Sequence, residues 1–554
     1  MQGAERPRTL PEAFQRTAAA RPDALALRAY GSDTAFTWGA YAAHVRRIAG
    51  GLAAMGVRRG DTLALMLTNR PEFHLAEAGA SHLGATTFSV YNTSSVEQIR
   101  HLLKHAQARV MVTERQFTEL AQAAAAGTVE RILVVEDGDL RRLNPLPDFD
   151  FEATWRAVES DDVLCLIYTS GTTGPPRAAE HTHRGVLAMA EDIARTFPIR
   201  ADDIALSYLP AAHVADRFLN QYFAMLHGVE VATLADTSRL APAMAEIKPT
   251  IFAAVPRVWE KIHVKVQDMM ASDPKLVAAF AAGREPTLAA LRTRLGFGRM
   301  RWALSGAAAI APDTYAFLRR LGVPVSEVWG MSECGLAMGA PPERARTTTV
   351  GKPFPSVEMK VIHGGELLIR SPFRMKGYRG DPRRTADLFD EDGWLHTGDV
   401  VTVDDDGYVR IVDRVKELII NSAGKNMSPT NIENAIISTS PLIGGVLAVG
   451  DARPYNVALI VLEPATAAAR AAQFGLDPDP ALLAVDERIV AEVQAGVDAG
   501  NMRLSRVEQI KRFVVLPSYW LPGGAEFTPT MKLKRRLIQA KYEAEIEQLY
   551  TAEP

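Results

Sequence analysis

Residues 168–183 read YTSGTTGPPRAAEHTH, packing small hydroxyl residues and glycines together ahead of two prolines, an arginine and two histidines. Glycines permit backbone dihedrals that turn successive N–H groups into one concavity, and the hydroxyls of Ser170, Thr172 and Thr173 add donors. Such a loop suits the oxygens of a polyphosphate, although the same composition also makes an exposed turn. The Gly-x-x-x-x-Gly-Lys-Ser/Thr spacing is missing, which argues against a Walker-type ATPase. Further along, charged groups sit in short polar words: Glu333 in WGMSE, Asp399 in GWLHTGD, Arg414 in DRVKE and Lys532 in TPTMKLKR. Each also has a plain reading taken singly. Gly398-Asp399 can be only a turn, Glu333 a solvated carboxylate, and Lys532 one base in a solvated cationic stretch.

These groups need elements to hold them. Residues 163–168 (VLCLIY) are continuously apolar, as a strand buried on both faces requires, and lead straight into the Gly-rich loop. Helical periodicity resumes at Val186, Leu187, Ala190 and Ile193, so the pattern predicts strand, loop and helix in that order. Residues 38–55 read as an amphipathic helix, and 62–67, 110–113, 249–256 and 300–305 hold short strands. This alternation predicts an α/β fold with helices layered on sheets. Between about 350 and 413 the texture shifts to short strands and turns, predicting a compact β-rich subdomain. Ser428 and Pro429 then mark a helix start, with Ile432, Ala435 and Ile436 on its apolar face, and a charged helix closes the chain from about Leu533.

Composition sets the frame. The 554 residues suffice for two or three domains. With 62 basic and 65 acidic side chains the net charge is -3, so no overall field favours nucleic acid or an anionic membrane. Two cysteines exclude a disulfide framework and point to a reducing cytoplasm. The N-terminus lacks the apolar core of a signal peptide, and no apolar run of about 18 residues occurs, which leaves at most peripheral membrane contact.

YTSGTTGPPR, WGMSE, GWLHTGD, DRVKE and TPTMKLKR occur in the order and separation of the adenylate-forming enzymes, and the chain as a whole resembles the acyl-CoA synthetases among them. LPAAHVADR, PTIFAAVPRVWEKIH and SAGKNMSPTNIE resemble the long-chain fatty acyl branch. The resemblance implies ATP- and Mg2+-dependent ligation of a carboxylic acid, a medium- to long-chain fatty acid favoured, to coenzyme A through an acyl-adenylate. It also implies a large N-terminal adenylation domain (1–413), a hinge (414–416) and a small, mobile α+β C-terminal domain (417–554). Within that plan Thr169, Ser170, Gly171, Thr172, Thr173 and Gly174, with Arg177, would wrap the phosphates. Glu333 and Thr172 would hold magnesium, and Ser332 would bond the α-phosphate. Gly306, Ala307 and Ala308, with Gly330 and Met331, would border the adenine, on which Trp329 would stack in place of a tyrosine.

By the same resemblance Asp399 and Arg414 would take the ribose hydroxyls, and His213 would lie near the reacting carboxylate, unless it is simply a packed core histidine. Lys532 would stabilise charge during adenylation, with Lys534 as runner-up. Lys416 would be the pivot, and Gly424 would border a tunnel for the coenzyme. Two positions depart from the family wording: Pro176-Arg177-Ala178 where Pro-Lys-Gly is common, and Thr530-Met531-Lys532 where Ser-Gly-Lys is common. Two alternatives stand beside this reading, a ligase that hands its adenylate to a carrier protein and a non-catalytic nucleotide- or acyl-binding relative. A homodimer is compatible with either.

Overall fold

The structure is a computed structural model, and it describes residues 6–169, 176–421, 426–521, 524–528 and 533–551. The apolar run before the Gly-rich loop forms strand Val163–Thr169, buried at every position but its two ends. It lies in a six-stranded sheet of order 131–134, 108–113, 62–66, 86–89, 163–169, 177–182, parallel except for the last pair. A seven-stranded sheet runs 325–327, 302–305, 251–254, 204–207, 230–233, 25–29, 35–37, again parallel except for the last pair.

Period-two alternation assigns the faces of these strands. Leu63 and Leu65 belong to a large cluster shared by both sheets, whereas Ala64 and Met66 belong to one on the outer face of the six-stranded sheet. Ala205 likewise joins the shared cluster, while Ile204 and Leu206 join an outer one. Helices Trp38–Ala54 and His183–Thr196 supply Trp38, Val45, Val186 and Ile193 to the shared core. Helices therefore lie between the sheets and on both outer faces.

The residues from 358 to 414 form a four-stranded antiparallel sheet, as the run of short strands and turns predicts. Beyond it, strands 443–449, 456–462 and 510–515 pack against helices Pro429–Ile437 and Glu487–Asn501. Ser428 caps the first of these, accepting from the Asn431 N–H, with Pro429 in the first turn. The buried clusters that begin at Ile419 share no member with those that end before residue 412.

Two local expectations change. The Gly-rich loop does not run from strand into helix; Arg177–Thr182 forms a further strand, antiparallel to the first, with Thr169 opposite Arg177 and Tyr168 opposite Ala178. Its pairing is tertiary: on its other side Glu180 N–H donates to Gly377 O, Lys376 N–H to Glu180 O and Arg379 N–H to Ala178 O. The closing helix is two, Arg535–Lys541 and Glu543–Thr551, separated at Tyr542, whose backbone leaves the helical region.

Candidate active site

The hairpin fixes the two ends of the Gly-rich loop, Thr169 and Arg177, side by side. Ser170, Gly171, Thr172, Thr173 and Gly174 lie outside the described residues, as do Gly424 and Lys532. Lys534 is described, and its Nζ donates to Gly524 O at 2.8 Å, inside the C-terminal part.

The strand-like segment that pairs with Arg177–Thr182 carries Tyr378 beneath Arg177, whose guanidinium lies 5.8 Å from the ring centroid. The Tyr378 hydroxyl donates to Glu333 Oε1 at 2.6 Å, and the Met375 N–H donates to Glu333 O. Glu333 is only 9 % exposed. Burial, then the adjacent Glu333 charge, pushes the Tyr378 phenol well up, so it stays a donor. Beside Glu333, Ser332 O accepts from His181 Nε2 at 2.7 Å. Burial lowers His181 to about 4 and His183 to about 3; the first orients the Ser332 backbone, and the second accepts from Leu10 N–H. Both histidines at the end of the quoted stretch are thus neutral packing groups.

A second node forms around Asp399, 3 % exposed. Strand pairing sets Asp399 opposite Arg414, whose Nε lies 2.7 Å from Oδ1, while Trp329 Nε1 donates to Oδ2 at 2.8 Å. A carboxylate offers two oxygens with about four acceptor positions, which suits a vicinal diol as well as these donors. Trp329 is itself buried, and its indole N–H anchors Asp399, a contact that the expectation of adenine stacking did not include.

Close by, Val328 N–H donates to Ser305 O, bringing residues 305–308 alongside Trp329. Ala307 adopts φ +72, a left-handed conformation unusual for a residue with a Cβ, and such strain concentrates at ligand-contacting positions. Gly330 must be glycine, because a Cβ there would stand 2.1 Å from Gly335 O. Ala308 is exposed and Met331 half-buried.

His213 caps the three-residue helix Val214–Asp216, and its Nδ1 accepts the Ala215 N–H at 3.2 Å. With Nδ1 accepting, a neutral ring carries its hydrogen on Nε2. Strands ending at Ser207, Ala254, Ser305 and Glu327 point the same way, so His213, residues 306–308 and Trp329 all follow the carboxyl edge of one parallel sheet. Crevices at such edges are where open α/β sheets bind ligands. Tyr378 and the anchoring role of Trp329 escaped the sequence, since neither the spacing nor the residue type announces them.

The profile of the AMP-binding enzyme family matches residues 14–379, and that of the AMP-binding enzyme C-terminal domain matches 416–554. A Mycobacterium tuberculosis protein named putative fatty-acid–CoA ligase fadD11 is 48% identical over 436 residues, covering 73% of this chain and 76% of its own. The long-chain-fatty-acid–CoA ligase FadD15 of the same species is 30% identical over 561 residues, covering 92% and 91%. Among solved structures, the adenylation domain of a carboxylate reductase from Mycobacterium chelonae superposes with a TM-score of 0.80 at 21% identity, covering 100% of this chain and 92% of that one. A Mycobacterium tuberculosis fatty acyl CoA synthetase gives 0.67 at 23%, covering 97% and 99%. These structural likenesses carry the layered fold.

Proposed function

Because the chain belongs to the AMP-binding enzyme family, we propose that it ligates a medium- to long-chain fatty acid to coenzyme A through an acyl-adenylate, consuming ATP and releasing AMP and pyrophosphate. The observation that supports this reading is a pair of buried, hydrogen-bonded carboxylates in the motif segments, Asp399 bound by Trp329 and Glu333 bound by Tyr378 beneath Arg177, together with the strained Ala307. The names of the fadD11 and FadD15 relatives support the choice of acid.

Asp399 and Arg414 would bind the ribose hydroxyls, while the Gly-rich loop and Arg177 would bind the phosphates. Glu333 suits magnesium, a hard cation commonly held by one or two carboxylates, with phosphate oxygens and water completing the shell. Bound there, the ion would neutralise phosphate charge. Both reactants in the first step are anions, so positioning and charge compensation are the main demands. His213, donating from Nε2, would orient one carboxylate oxygen of the acid while the other attacks the α-phosphorus. The new O–P bond forms as pyrophosphate leaves, and Lys532 would stabilise the charge that develops.

In the second step the thiol of coenzyme A loses its proton and attacks the acyl carbon, and AMP departs. The two steps would use different placements of residues 417–554, swinging about Lys416, with Gly424 beside the incoming thiol. Lys416 is exposed in a turn, and the buried clusters on either side of it are separate, which favours such a movement.

The test is to incubate the protein with ATP, magnesium and fatty acids of graded length, with and without coenzyme A, and identify products by mass. Acyl-CoA appearing only with the coenzyme is expected. Acyl-adenylate that ignores coenzyme A would point to a carrier-protein acceptor, and no product from any acid would overturn the catalytic reading. Lys532→Ala is expected to abolish adenylate formation while largely sparing thioester formation from pre-made acyl-adenylate; equal loss of both would remove Lys532 from its role.

A further inference from the structure

We propose that Asp216 is a positioning residue that clasps the loop bearing His213 and so sets the imidazole for adenylation. This deepens the proposed function and rests on it. Residues 208–215 leave strand Ile204–Ser207 and enter helix Val214–Asp216, so Ser207 and Asp216 stand at the two feet of the loop. Asp216 is 2 % exposed. Its Oδ2 accepts from Ser207 Oγ at 2.9 Å and from Asn69 Nδ2 at 3.2 Å, and its Oδ1 from Asn220 Nδ2 at 2.7 Å. Backbone N–H groups of Tyr208 and Leu209 also favour the charge.

Asn69 reaches in from the other sheet and bonds the same foot twice more, through Ser207 Oγ at 2.9 Å and Leu209 O at 2.8 Å. Both feet are therefore tied to one carboxylate. Among the described residues no cation pairs with Asp216, and burial raises it to about 7 against these neutral donors. A buried carboxylate without a counter-ion is costly to keep, and an apolar side chain would pack as well. What the carboxylate adds is a fixed geometry three residues from His213, whose own Nδ1 is turned inward onto Ala215 N–H.

The clasp is tested by a double-mutant cycle on acid-dependent ATP–pyrophosphate exchange. His213→Ala and Asp216→Asn should each lower kcat at least tenfold and leave the KM for ATP within about twofold. The double variant should be no more than about threefold slower than His213→Ala alone. Asp216→Asn within threefold of wild type, or losses that multiply in the double variant, would overturn the proposal, as would full exchange by His213→Ala. If Asp216→Asn does not fold, Asn69→Ala completes the same cycle. Wild type that makes no adenylate would remove the functional reading and this proposal together; active wild type with multiplying losses removes this proposal alone.

Discussion

Arg177 lies over the Tyr378 ring, and the Tyr378 hydroxyl holds Glu333, so one short chain of side chains joins the foot of the Gly-rich loop to a buried carboxylate. If Arg177 touches phosphate, Arg177→Ala should raise the KM for ATP about tenfold, the worth of one charge-assisted hydrogen bond; unchanged ATP kinetics would place the side chain in solvent. Tyr378→Phe leaves a buried Glu333 oxygen without that donor, a change of about 1–3 kcal/mol, and should shift the magnesium concentration for half-maximal rate while leaving the fatty acid KM unaltered. Glu327, buried at the end of strand Val325–Glu327, accepts from Ile310 N–H and is raised by burial to about 7, with Tyr315 the titratable group facing it. Between its unfolded value and 7 the native state binds more protons than the unfolded state, so this group's contribution to stability falls as pH rises. Glu327→Gln should flatten that slope in thermal melts between about pH 5 and 7.5; an unchanged slope would refute the assignment. At this scale the motif carboxylates Glu333 and Asp399 were legible because short polar words surround them. Tyr378 was not, because only the pairing of residues 376–379 with 178–180 carries it across 45 positions to Glu333.

The elements were readable wherever local pattern and tertiary setting agree. VLCLIY made a buried central strand, and Ser428-Pro429 made a capped helix start. Strand Arg177–Thr182 was hidden, because RAAEHT has little β propensity and becomes extended only with neighbours on both sides. In the C-terminal part, helix Arg535–Lys541 is docked by Arg535, whose Nη1 and Nη2 lie 2.5 and 2.7 Å from the two oxygens of buried Glu433 on helix Pro429–Ile437. Glu433 Oε1 also accepts Ala448 N–H at 2.8 Å. Removing Glu433 leaves Arg535 only the longer contact to Glu417 at 3.3 Å and Ala448 N–H without its acceptor, so Glu433→Ala should lower unfolding stability by about 2–4 kcal/mol, seen as a lower urea midpoint. A midpoint shift below about 1 kcal/mol would show the pair behaving as an exposed one.

Across the whole molecule, the covalent connection at 414–418 is supplemented by Asp413 Oδ2, which accepts from Ser428 Oγ at 2.5 Å and Thr430 N–H at 3.1 Å, and by an ion pair, Arg503 Nη1 to Asp313 Oδ2 at 2.9 Å, with both side chains at least half exposed. The ion pair contributes at most about 1 kcal/mol, so any reorientation about Lys416 turns on the Asp413 bonds. Lys416→Pro, which fixes φ near −65°, should depress one half-reaction at least tenfold and leave the other within about threefold; equal depression of both would move the pivot elsewhere. The separation of buried clusters at residues 412–418 also bears on ancestry. The loops carrying His213 and residues 306–308 grow from the carboxyl edge of the seven-stranded sheet, whereas residues 417–554 fold around a core of their own. If the acid is chosen before this joint, lineages could diversify in the acids they accept by changing one gene segment, and recombination here would need only to keep Asp413 matched to Ser428.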